Sequence, residues 1–135
     1  MDSIKNEGIE LYVKVIPYLP HDKVIKMQVE SQILLLLINH TPNAKSILTG
    51  KLFEYLKSGR PILCIGPEDG DSAVILEECE AGKTIDFDDK SKMESVLIDL
   101  MDRYKKEGLA AHQNESIEKY SRRNLAKRFV ELLNA

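Results

Sequence analysis

The chain has 135 residues, 43% of them hydrophobic and 30% charged, which fits a single soluble globular domain with its own core. Nineteen basic against 22 acidic residues give a net charge of −3, so no global field draws it to nucleic acid. Trp is absent and aromatics stand at 6%, too few for a base-stacking platform.

The opening residues, 1–8, are too polar for a secretory signal and read as a helix end closed by Gly8. Residues 9–16 are rich in Val, Ile and Tyr and predict a first strand, stopped by Pro17 and Pro20. Residues 22–31 predict a short helix with Val24, Ile25, Gln28 and Val29 inward. The run Ile33-Leu34-Leu35-Leu36-Leu37-Ile38 is far short of the roughly 20 residues that span a bilayer. It predicts a second strand buried on both faces, as in a parallel sheet.

A polar loop, 39–49, leads to a helix over 50–58, and 61–65 predicts the third strand. After the turn at 66–70, Asp71 or Ser72 is expected to cap a helix reaching Glu80. Gly82 is expected to end that helix as a left-handed cap before a fourth strand over 83–87. Apolar residues at three and four (Met93, Val96, Leu97, Leu100, Met101, Tyr104, then Leu125, Phe129, Leu132, Leu133) predict two closing helices.

Alternating strands and helices imply an α/β, Rossmann-like, three-layer domain with a parallel sheet of about four strands. Ligands in such sheets bind beyond the carboxyl ends of the strands, here the loops 17–21, 39–49 and 66–71. Cys64 and Cys79 lack metal-ligand spacing and read as buried thiols in a reducing, cytoplasmic setting. No Ser-His-Asp order or His-x-x-x-His pair is present, and neither a metal nor a cofactor is expected. The Gly-Lys pair lacks P-loop spacing.

The run Gly50-Lys51-Leu52-Phe53-Glu54-Tyr55-Leu56-Lys57-Ser58-Gly59-Arg60-Pro61-Ile62-Leu63, then 66–71 and Glu80-Ala81-Gly82, resembles the C-terminal, donor-binding half of GT-B glycosyltransferases of the retaining family 4 (group 1) type. Those enzymes carry Glu-(Ala/Tyr)-(Met/Leu)-x-x-Gly-x-Pro at this point, and the likeness runs from Gly8 to the C-terminus. The resemblance implies a nucleoside-diphosphate sugar as donor and a hexosyl transfer to a saccharide or lipid-linked acceptor in polysaccharide biosynthesis. It also implies a fragment over 1–135 lacking the family's first strand and its N-terminal acceptor domain.

Glu54 would hydrogen-bond the ribose; otherwise it is an ordinary helix carboxylate near a positive dipole end. The family's second Glu, eight positions earlier, is Ser46 here, so the sugar-contacting pair is not intact. Thr49, Gly50 and Lys51 would hold the diphosphate, although Thr49 also suits a plain N-cap and Lys51 a solvated helix lysine. Tyr18 and Leu19 occupy the loop that in the family packs against the base, or else form a rigid Pro-bounded turn. His40 is at the ligand edge of the second strand, and His21 reads as a helix-start residue.

The acids of 66–71 belong first to a turn and only second to a sugar or acceptor surface. Arg122, Arg123, Lys127 and Arg128 form a basic cluster that is either a solvated face or a contact for anionic headgroups on the inner membrane surface or for the missing domain. A sheet edge left open suggests a homodimer. The other reading of the whole chain is a non-catalytic α/β interaction module derived from a transferase half.

Overall fold

The computed structural model describes residues 2–108 and 115–134. After α1 (Asp2–Asn6), closed by Gly8, come α2 (His21–Glu30), β1 (Leu34–Leu37), α3 (Gly50–Ser58), β2 (Ile62–Ile65), α4 (Asp71–Glu78) and β3 (Gly82–Ile85). A long α5 (Lys90–Glu107) and α6 (Arg122–Leu133) complete the chain. The three strands are parallel, in the order β1-β2-β3, with Leu36 beside Cys64 and Cys64 beside Thr84. This is a Rossmann-like arrangement of a three-stranded parallel sheet flanked by helices. No described helix is long and apolar enough to cross a membrane.

A sequential strand order with right-handed crossovers puts α3 and α4 on one face of the sheet. There Leu36, Ile38, Ile62 and Cys64 pack with Leu52 and Leu56 of α3 and Ile75, Leu76 and Cys79 of the α4 end. Each fully buried aliphatic chain of this kind contributes roughly 1.5–3 kcal/mol of transfer free energy. Leu52 and Leu56 are four residues apart, one turn of helix, and both are nearly inaccessible. Gly59, at φ 69°, then turns the chain out of α3 so that β2 begins three residues later.

Four expectations are corrected. Residues 9–16 form no strand: Glu10–Tyr12 is a 3-10 turn, and Leu11 and Tyr12 are 95% and 88% exposed. β-branched composition makes a strand only where a neighbouring strand receives its hydrogen bonds, and here β1 is the edge of the sheet. Second, β1 is not covered on both sides. Leu34, Leu36 and Ile38 are buried, but Leu35 and Leu37 point to the opposite face and are 53% and 62% exposed.

Third, neither Asp71 nor Ser72 caps α4. Gly70 is the N-cap, and the Ser72 hydroxyl donates instead to the Ile47 carbonyl at 2.8 Å. Fourth, Gly82 is the first residue of β3 rather than a left-handed cap; the positive φ, 49°, belongs to Glu80. Glycine is needed at 82 for another reason, since a Cβ there would lie 1.9 Å from the Ile62 carbonyl oxygen. Cys64 and Cys79 are free, buried thiols, as their types suggest.

Candidate functional site

Because α3 returns antiparallel to β1 and β2, its N-terminus stands at the carboxyl rim of the strands. The loop between β1 and α3 is fixed at several points. Ala44 is buried in a 3-10 turn, its N–H donating to the Thr41 carbonyl at 2.9 Å, and Ser72 holds Ile47 to α4. The chain therefore delivers Thr49, Gly50 and Lys51 from an anchored loop.

Thr49 is in the N-cap position with extended backbone, yet its side chain makes no capping bond. Its Oγ1 is buried without a partner, which normally costs about 1–3 kcal/mol and calls for an acceptor or donor from elsewhere. Gly50 is exposed, and a Cβ added to it would meet nothing within 4 Å. This corner is open. Lys51 is exposed beside it.

Glu54 is half-buried one turn further on, where its Oε2 accepts from Gln28 Nε2 at 3.4 Å, tying α3 to α2. Ser46 is exposed in the 3-10 turn, Leu19 is half-buried, and Tyr18 is 95% exposed. His21 opens α2, the helix-start position its neighbours suggest.

Beside this corner is a cavity of about 460 Å³ at the ends of all three strands. His40 after β1, Pro67 and Asp69 after β2, and Asp86 and Phe87 after β3 line it together with Lys45. Of the residues expected to bind the donor, His40 alone lines this cavity, with the turn acids Glu68 and Asp69 beside it; Thr49, Gly50, Lys51, Ser46, Glu54, Tyr18 and Leu19 do not. His40 stacks on Phe87 with ring centroids 4.2 Å apart and planes 14° from parallel.

Charge at this rim is locally matched. Lys45 Nζ is 2.5 Å from Asp69 Oδ2, and this hydrogen bond holds the Asp69 carboxyl below its usual range. Lys92 Nζ, from α5, is 2.7 Å from Glu68 Oε1 and lowers Glu68 likewise, while the Asp86 N–H donates to the same oxygen. An anionic ligand must therefore draw on the α3 N-terminus and Lys51, or displace Asp69 from Lys45.

Asp69 was weighed only with the turn acids of 66–71, and Phe87, Lys45 and Asp86 were not chosen as site residues from sequence. Their only signal was position at a strand end, which many loop residues share. A larger groove, about 1120 Å³, runs along β3 between α4 and α5, lined by Thr84, Leu100 and Arg103. It runs from Pro61 and Gly82 at the amino ends of β2 and β3 to the Glu68–Lys92 ion pair at the rim. Among the described residues no cluster of three or more His, Cys, Asp or Glu could hold a metal ion. Comparisons of the chain with protein-family models, curated proteins and solved structures give no match.

Proposed function

We propose that this chain is the donor-binding domain of a GT-B glycosyltransferase of the retaining family 4 type, taking a nucleoside-diphosphate sugar. The observation that carries the reading is the open start of α3: an unobstructed Gly50 and an exposed Lys51 at the carboxyl rim of a parallel sheet. Backbone N–H groups and the Lys51 ammonium would stabilise the departing diphosphate as the glycosyl carbon–oxygen bond breaks. Donors aimed at a leaving group in this way are commonly worth factors of about 10²–10³ in rate.

Glu54 would accept from the ribose hydroxyls through the oxygen not engaged by Gln28. Ser46 would offer only a hydroxyl toward the sugar, and Tyr18 with Leu19 would pack against the base. The acceptor, a saccharide or lipid-linked group, would be held by a second domain at a cytoplasmic membrane face. Calorimetric titration of UDP, GDP, ADP and dTDP into the chain tests this reading. Glu54→Ala should weaken the preferred nucleotide about tenfold, as for loss of a hydrogen bond to a charged group. An affinity indifferent to Glu54 would count against it.

The second reading, an interaction module derived from such a half, is favoured by β1: an edge strand whose outer side meets no strand among the described residues, with Leu35 and Leu37 exposed. Under that reading no nucleotide binds, and the chain self-associates through the edge.

A further inference from the structure

The deepest position of α2 holds an amide. Gln28 is the buried residue of this helix, 8% exposed, with Val24 one turn before it and half-buried on the same side. An apolar side chain would suit that place, yet the Gln28 amide is only half used. Its Nε2 donates to Glu54 Oε2 at 3.4 Å, while its Oε1 is buried without a partner. A buried orphan carbonyl costs stability, and a long bond to a half-buried carboxylate returns little of it. Nor does the docking of α2 rest on this bond alone. Arg60, just past α3, donates from Nε to the Val29 carbonyl at 2.6 Å and fastens the end of α2 separately. What Gln28 supplies is direction: its N–H₂ end faces the carboxylate, because the amide turned over would set acceptor against acceptor.

We infer, resting on the donor-site reading, that Gln28 is the positioning residue of Glu54 and makes the site select a ribonucleoside over a deoxyribonucleoside diphosphate. One carboxylate oxygen is engaged by Gln28, which leaves Oε1 to accept from a ribose hydroxyl. A glutamate without such a restraint must order its side chain when the nucleotide arrives; here that ordering is already made. A nucleotide lacking the hydroxyl would leave a fixed, half-buried oxygen without its donor, and sites built to bond a hydroxyl reject analogues that lack it.

The test is calorimetric titration of the full chain with UDP, GDP and ADP, each beside its 2′-deoxy and 3′-deoxy counterparts. Wild type should prefer the ribonucleotide to at least one deoxy counterpart by about tenfold. Gln28→Met, similar in volume but without the amide, should weaken the ribonucleotide about threefold and leave that deoxy counterpart unchanged. It should melt no lower than wild type, because the orphan oxygen is lost with the amide, and Gln28→Leu should behave alike. Added to Glu54→Ala, Gln28→Met should cost nothing further, since it acts through that carboxylate. Unchanged ribonucleotide affinity in Gln28→Met, with Glu54→Ala still weakening it, would overturn the positioning role and leave the donor site standing. Equal losses for ribonucleotide and deoxynucleotide would also overturn it, by assigning Gln28 to packing. Glu54→Ala without effect, or no nucleotide bound at all, would remove the donor-site reading and this inference with it.

Discussion

The rings of His40 and Phe87 stack across the end of β2, joining the residues that follow β1 to those that follow β3. The two outer strands are thus connected at the rim, directly over the cavity. Offset stacks of this kind add about 0.5–1.5 kcal/mol beyond area burial. Phe87→Ala should therefore lower urea-unfolding stability by about 1–2 kcal/mol, the sum of lost stacking and partial burial. A variant as stable as wild type would mean that the stack closes nothing.

Gly82 is where β3 presses on β2. Ala at this position would drive a methyl into the Ile62 carbonyl, which belongs to the backbone and has no rotamer to yield. Gly82→Ala should cost about 3 kcal/mol, the upper end of overpacking penalties, with β2–β3 amide protection falling first in hydrogen exchange. Gly50→Ala, in open space, should be neutral or slightly stabilising by comparison.

Cys64 and Cys79 should be inert in the native protein. Burial pushes the Cys64 thiol up, with a smaller opposing effect of Thr84, and burial with the Glu78 charge pushes up Cys79. Only the thiolate reacts, so a disulfide reagent at neutral pH should modify both cysteines at the unfolding rate and not faster. Rapid modification without denaturant would contradict the packing described here.

Glu78 links α4 to the 3-10 segment Glu115–Tyr120. Its Oε2 accepts from Lys119 Nζ at 2.7 Å and from the Tyr120 hydroxyl. The Lys119 bond foremost, then Tyr120, lowers the Glu78 pKa, and Glu78 in turn raises that of Lys119. A lowered carboxyl stabilises above its unfolded value and loses that contribution as pH falls through the folded value. A raised amine stabilises below its unfolded value and loses it as pH rises through the folded one. The melting temperature of wild type should exceed that of Glu78→Gln near neutrality, with the gap closing in acid and again in strong alkali. The gap should be small, because both partners are exposed. A gap constant across pH would exclude the ionic explanation.

Much of the sheet was legible from residue order. The apolar blocks around Leu36 and Cys64, separated by a helix closing at Gly59, are enough to specify parallel neighbours with a crossover. The segment 9–16 misled because β-propensity says nothing of a partner, and β1 offers its open edge to no described segment. Gly82 misled for a similar reason: left-handed caps and tight strand crossings both select glycine, and only coordinates distinguish φ from crowding. At the rim, contiguous residues such as Thr49 to Lys51 could be placed from helix-start chemistry. Phe87 could not, because its partner is His40, far away in the chain.

The central claim, a diphosphate held at the start of α3, is tested most directly by amide chemical shifts during titration with UDP, GDP, ADP and dTDP. Saturable shifts at Gly50, Lys51 and Glu54, with smaller ones at Tyr18 and His40, are the predicted result. Silence at millimolar nucleotide, or shifts confined to the groove between β3 and α5, would contradict it.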